Sequence, residues 1–567
     1  MSDSYYNLGT YRRIITTTSP EAQLWFDRGL RWAYCFNFDE AVRCFEKAVS
    51  FDPECAMAYW GMAYAAGPNY NKAWHLFDQA DLQRVIEYAS RALEQASQLA
   101  ASAPRIERDF IQALKTRFPS DVAPRDQDGF RELNIAYAES MRTVYARHEQ
   151  DLDAGALFAD ALLCVSPRAL WDIESGDPIG YGTVEARRVI EATTALPGGE
   201  IHPALPHLYI HLMEMSPFPE SAMPAADRLR RLAPEATHTM HMATHIDHAC
   251  GDWRRVIDSN RDAADVDDRY FAEDGREVGV YSVYRAHNLH TMAYGAMMAG
   301  RERDALEAAE RMDKALPVEV LRVTSPPMAD WAESYLTLRP HVLIRFGRWE
   351  DILDLELPED PELYCSTTAS ILYAQGVAFA ALGRVEEARA TREKFRAAKA
   401  AVPSSRLSSL PVRQTDVLEV ASAMLDGELE YRRGNFDDAW TRLRRAIELE
   451  DGLPYADPPA WVQPVRHAYG ALLVEQGHLE EAAEVYRADL GLSPEVLPRR
   501  RARVNNVWSL HGLYECLVKL GRTDEASAFA LQRSIAVASA DIEIGASCFC
   551  RLTAFDEKDP ICCSSTS

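Results

Sequence analysis

The stretch AQLWFDRGLRWAYCFNFDEAVRCFEKAVSFDP, Ala22 to Pro53, decides the fold. Apolar residues recur at helical spacing on either side of the polar break at Asn37, which predicts two helices joined by a tight turn. Gly29, Ala41 and Ala48 are small where the two helices would cross, Trp25, Trp32 and Phe45 are large enough to fill the space between them, and Pro53 stops the second helix. One antiparallel hairpin is the unit of construction.

These are the signature positions of the tetratricopeptide pattern, and a register of about 34 residues carries it onward. Copies start at 203, 237, 286, 333, 369, 420, 463 and 507, and from 237 on each places a glycine at its fifteenth position: Gly251, Gly300, Gly347, Gly383, Gly434, Gly477 and Gly521. Residues 56–200 read as more degenerate helices, broken at GPNYN (67–71) and ESGDPIGYG (174–182). No alternating strand pattern is sustained. The expected fold is all-α, a tetratricopeptide-like α-solenoid, a superhelix of antiparallel helix hairpins. Its expected segments are N-terminal repeats at 1–200, histidine-rich repeats at 201–320, C-terminal repeats at 321–545 and a disordered tail at 546–567.

The 567-residue chain carries 86 acidic against 61 basic residues, a net charge of −25 that repels nucleic acid and anionic membrane surfaces. The run PRRRAR (498–503) is too short to reverse this. The opening MSDSYYNLGTYRR has no apolar signal-peptide core, and no segment has the length of a membrane span, so a cytoplasmic location is expected. Eleven cysteines without a CxxC pair fit reduced thiols, including Cys548, Cys550, Cys562 and Cys563 near the C-terminus.

Histidine is distributed differently. Nine of the fifteen histidines lie between 202 and 290, where even scatter would place about two. In THTMHMATHIDHAC (237–250), His238, His241, His245 and His248 are spaced three, four and three apart, so they share one helix face. They occupy positions 2, 5, 9 and 12 of their repeat, the face that lines the concave groove of such arrays. The preceding repeat offers His207, His211 and Glu214 at positions 5, 9 and 12. The following one offers His287 and His290 at positions 2 and 5, with Tyr294 and Met297 beyond. A single HxxH or HxxxH pair is more often structural, but three successive helices presenting the same chemistry on the same face predict a shared metal site. Packed imidazoles repel one another once protonated, and a metal bound by their neutral nitrogens removes that penalty.

The expected ligands are His207, His211, Glu214, His238, His241, His245, His248, His287 and His290, with Glu214 also the candidate catalytic base. Tyr294 and His341 are expected to contact substrate. A nitrogen-rich set without thiolate suits copper, iron or zinc, and it exceeds the needs of one ion. Two transition metal ions are expected, copper first.

The chain resembles a family of bacterial and fungal proteins with a tetratricopeptide-like array and a histidine-rich centre, mostly of unknown function. The likeness runs from AYWGMAYAAGPNYN (58–71) through YIHLMEMSP, HMATHI and AHNLHTMAYGAM to QPVRHAYGALL and EVYRADL. It implies a metal site at His207, His211 with Glu214, His238, His241 with His245, and His287 with Asn288 and His290. This chain has MetAlaThr between His241 and His245 where relatives have MetProSer, and AHN in place of PHN. His248 has no counterpart in the family pattern.

Three functions compete. The first is an oxygen-using oxidoreductase acting on a small organic molecule in the groove, with copper or iron. The second is a zinc-dependent hydrolase. The third is a non-enzymatic scaffold for a peptide or protein partner. His467 and His511 also fall on the groove face, whereas His148 and His478 fall off it. Neither a phosphate-binding glycine loop nor a GxSxG elbow is present.

Overall fold

The computed structural model describes residues 5–124, 126–273 and 279–552. Helix follows helix along the chain, and the strand content of the described residues is one short hairpin, Leu407–Ser409 with Val412–Arg413. The first repeat forms the helices Pro20–Tyr34 and Phe38–Phe51. Ser19 caps the first, its hydroxyl accepting from the Ala22 amide at 3.1 Å, with Pro20 in the first turn. Asn37 caps the second by accepting from the Glu40 amide at 3.2 Å. A methyl group on Gly29 would lie 2.8 Å from the Phe45 ring, which is why that position is glycine.

The later hairpins turn where the register places them. Gly251, Gly300, Gly347, Gly383, Gly434, Gly477 and Gly521 all have φ between 64° and 79°, the left-handed region that ends a helix without a Cβ penalty. Helices Thr237–Cys250 and Trp253–Ala272 flank the first of these turns, and Val280–Ala299 and Glu302–Ala315 the second. The repeat at 333 departs from the pattern. Its second helix, Trp349–Leu353, has only five residues, because Pro358 and Pro361 follow closely and cannot continue it.

The chain forms two compact units. The first comprises residues 1–246 with 262–277, the second 247–261 with 278–567. Within the second unit, helices far apart in sequence meet. The Trp508 indole donates to the Met297 carbonyl at 2.6 Å, the Trp253 indole to Val504 at 3.1 Å, and the Asp541 amide to Gly300 at 3.1 Å. An open solenoid touches only neighbouring repeats, so these contacts are a tertiary feature beyond the repeat rule.

Residues 546–552 are not the start of a disordered tail. Ala546 and Ser547 are buried, the Ser547 hydroxyl donates to the His467 carbonyl at 2.9 Å, and Arg551 pairs with Glu515 at 2.8 Å. Cys548 and Cys550, expected as thiols, form a disulfide. The segment has something to pack against, which polar composition alone did not reveal. Cys562, Cys563 and the rest of the expected tail lie outside the described residues. Cys35, Cys55, Cys164, Cys365 and Cys516 are buried thiols.

Candidate metal centre

The first unit brings His207, His211 and His238 together. Each offers a ring nitrogen, and the three nitrogens lie within 4.8 Å of one another in a fully buried setting. His207 and His211 come from the helix Ala204–Met213, one turn apart on one face, and His238 from the first turn of Thr237–Cys250.

The other nitrogens of the first two rings are held. The Tyr34 carbonyl, among the last four of helix Pro20–Tyr34 and so without an intrahelical donor, accepts from His207 Nδ1 at 2.8 Å. Glu214 Oε1 accepts from His211 Nδ1 at 3.2 Å. Among the described residues neither Nε2 atom has a hydrogen-bond partner, and both are buried. A carbonyl or carboxylate on one imidazole nitrogen, with the other nitrogen bare, is the arrangement that orients histidine toward a metal.

Electrostatics keep the rings neutral. Burial, reinforced by neighbouring imidazoles, holds His207 and His238 well below the ordinary histidine range. Burial also lowers His211, against the opposing hydrogen bond to Glu214. Burial would push the Glu214 carboxyl up, but His245 and His211 outweigh it and hold the group well below the usual carboxylate range. Its second oxygen accepts from His245 Nδ1, and His245 Nε2 lies 2.8 Å from His241 Nε2. Both Glu214 oxygens are thus engaged by imidazoles. Glu214 fixes two histidines, one through each carboxylate oxygen.

Four residues that the sequence reading missed complete the surroundings. Phe36 lies at the fifteenth position of the first repeat, where the later repeats have glycine, and it adopts the same left-handed backbone with φ 58°. Its ring stacks on His211 and His238, with both centroid distances 5.5 Å, and it packs on His207 at 4.2 Å. Tyr70 sets its ring 4.4 Å from that of His211, with its hydroxyl buried and without a partner among the described residues. Asn71 reaches His238 Nε2 at 3.5 Å and accepts from Arg168 at 3.3 Å. The signals were a non-glycine at a glycine position and the break GPNYN.

The remaining expected site residues belong to the second unit. His248 Nδ1 hydrogen-bonds Asp457 at 2.6 Å, and its ring faces Tyr294 and Trp253. His290 is buried against Tyr335 and pushed down to about 3 by burial and then His341. His341 packs against Trp461 and is pushed down to about 4, again by burial. His287 is half-buried, and its carbonyl accepts from Thr291. His467 is held between Asp489 and Arg345, and His511 beside Arg533, both as packing groups.

No family model matches the sequence, and no curated protein matches it. Among solved structures the chain is similar to yeast Tom70, at 10% identity over 91% of this chain and 90% of that one, with a TM-score of 0.28. It is similar to the APC/C hetero-tetramer Cut9–Hcn1 at 12% identity over 94% and 96%, TM-score 0.28. For Naa15/Naa10 bound to HypK-THB the values are 11%, 92% and 73%, with a TM-score of 0.22. Among the described residues, no helix is long and apolar enough to cross a membrane.

Proposed function

We propose that the first unit holds a transition metal ion through His207, His211 and His238, and that the protein is a metal-dependent oxidoreductase using dioxygen on a small organic molecule. The observation that carries this is the pair of buried, unpartnered Nε2 atoms of His207 and His211 converging with His238. An imidazole nitrogen sealed from water with no donor costs about 1–3 kcal/mol, and three neutral imidazoles form a ligand set for copper, iron or zinc. His241 and His245, with Glu214 fixing the latter, are the seat we assign to a second ion.

Such a metal supplies Lewis acidity and, if copper or iron, electron transfer. Three protein ligands leave a coordination position open, as catalytic sites do. Tyr34 and Glu214 set the tautomers of His207 and His211. Phe36 covers three imidazoles and excludes water from them. Tyr70 holds a phenolic proton beside His211, with no acceptor for it among the described residues.

The test is elemental analysis of untagged protein, with optical and paramagnetic spectra and dioxygen uptake against a panel of small phenols, amines and acids. Copper or iron with substrate-dependent uptake is the expected result. Zinc alone would redirect the reading to hydrolysis. Protein without transition metal, whose melting ignores chelators, would overturn it in favour of a scaffold.

A further inference from the structure

The second unit holds the one disulfide among the described residues, Cys548–Cys550, with Phe549 alone between the two cysteines. A cross-link stabilises a fold through the chain entropy it removes from the unfolded state, and that gain shrinks with the loop it closes. Residues two apart are neighbours in any conformation, so this bridge removes little. Nor does it place the segment, which other contacts already hold. The Ser547 carbonyl accepts from Arg345 at 2.8 Å, the Ser547 hydroxyl donates to the His467 carbonyl at 2.9 Å, and the Cys550 carbonyl accepts from Arg432. Arg551 pairs with Glu515 at 2.8 Å. The two Cα atoms stand 5.2 Å apart, inside the ordinary range for a bridge, so opening or closing it asks no movement of the backbone fixed in this way.

The two sulfurs are unequal. Cys548 is half-buried, whereas Cys550 is 5% exposed. The Cys550 amide donates to Cys548 Sγ at 3.1 Å, a bond that favours negative charge on that sulfur. Cys550 Sγ instead lies 3.9 Å from the Ala468 carbonyl oxygen, which suits a thiol proton and disfavours a thiolate. Both cysteines line a narrow cleft of about 50 Å³, open to solvent, with Arg345, Trp349 and Met424. Glu428 also lines it, but Arg432 neutralises that carboxylate at 2.7 Å. A space of this size admits a sulfur on a slender stem and excludes a ring.

We propose that Cys548–Cys550 is a thiol–disulfide exchange site for a small aliphatic thiol. A thiolate of that reductant attacks the more exposed Cys548 Sγ. The bond between the two cysteine sulfurs breaks, and its electron pair leaves on Cys550, which takes one proton from solvent. A second thiolate attacks the reductant's sulfur in the mixed disulfide, forming the oxidised reductant and releasing Cys548 as a thiolate that the Cys550 amide holds. The protein pair gains two electrons and the two thiolates lose them. Exposed bridges that contribute little to folding are the ones that cycle in this way. The site is independent of the metal reading.

Glutathione is the probe. Full-length protein is equilibrated in mixtures of its reduced and oxidised forms, alkylated and cut with trypsin, and the peptide Ser534–Arg551, which carries these two cysteines and no other, is weighed. A single two-electron transition is expected in the folded protein, with the same melting temperature on both sides of it. Cys550→Ser should retain one glutathione on Cys548, and Cys548→Ser should retain about one tenth as much or less on Cys550. A bridge that resists reduced glutathione until the protein unfolds, or that oxidised glutathione never closes, would overturn the proposal. So would a lower melting temperature on reduction, which would make the bridge a brace, or equal labelling of the two variants. If either variant fails to fold, the transition and melting of the parent chain decide alone.

Discussion

The ring of Phe36 lies nearly parallel to the imidazole of His238, 12° between planes and 5.5 Å between centroids, on a backbone with φ 58°. A non-glycine residue there costs about 1 kcal/mol or more, so the ring's position is maintained against local preference. Phe36→Ala keeps the strain and loses the ring, while Phe36→Gly loses both. Phe36→Gly is therefore expected to be about 1 kcal/mol more stable than Phe36→Ala in urea unfolding, although both fall below the parent by about 3 kcal/mol. Equal stability of the two variants would show that the strain is not energetic.

Metal retention should separate ligands from the residues that orient them. His207→Ala, His211→Ala and His238→Ala are each expected to abolish tight binding, because each removes one of three nitrogens. Glu214→Gln should weaken affinity about 10- to 100-fold and not abolish it, since the glutamine oxygen still accepts from one imidazole. Chelator competition followed by elemental analysis reads both effects. A Glu214 variant as empty as the histidine variants would make the carboxylate itself a ligand.

Acid sensitivity should trace to Asp153, which supports the site from behind. It accepts from Tyr11 at 2.7 Å and Tyr34 at 2.5 Å, lies 3.2 Å from His202, and pairs with Arg13 at 2.6 Å. Burial pushes its carboxyl up, but Arg13 and His202 outweigh burial and hold it well below the usual carboxylate range. A depressed folded-state value means the stabilisation is complete above the unfolded pKa, about 3.9, and is lost as pH falls from there through the folded value. Asp153→Asn should cost about 3 kcal/mol at neutral pH and flatten the acid limb of a urea-midpoint profile below about pH 5. An unchanged acid limb would place the sensitivity elsewhere.

Two turn glycines with nearly the same backbone should respond differently to alanine. Gly434 has φ 77° and open space where a Cβ would stand, so Gly434→Ala should cost only the left-handed penalty, about 1 kcal/mol. Gly251 has φ 74°, but its Cβ would stand 2.3 Å from the Val504 carbonyl oxygen. Gly251→Ala should cost at least twice as much, because the contact between the turn and the 504 segment must open as well. Thermal melting of the two variants side by side measures the difference.

The repeat architecture is local physics, and the sequence by itself determined it. Helical periodicity, small residues such as Gly29 opposite Phe45, and glycine at every fifteenth position from 251 to 521 each act within one hairpin. The histidine stripe was legible for the same reason, since residues three and four apart share a helix face whatever surrounds them. What each imidazole touches was decided only in three dimensions. His238 meets His207 and His211, His245 meets Glu214, and His248, one turn further along the same helix, meets Asp457 from 209 residues away. The carbonyl that fixes His207 comes from Tyr34, and backbone groups leave no mark in composition or spacing. Periodicity assigns a residue to a face. The partner on that face is set by long-range packing, where burial and unsatisfied hydrogen bonds select one neighbour among many that the sequence leaves equivalent.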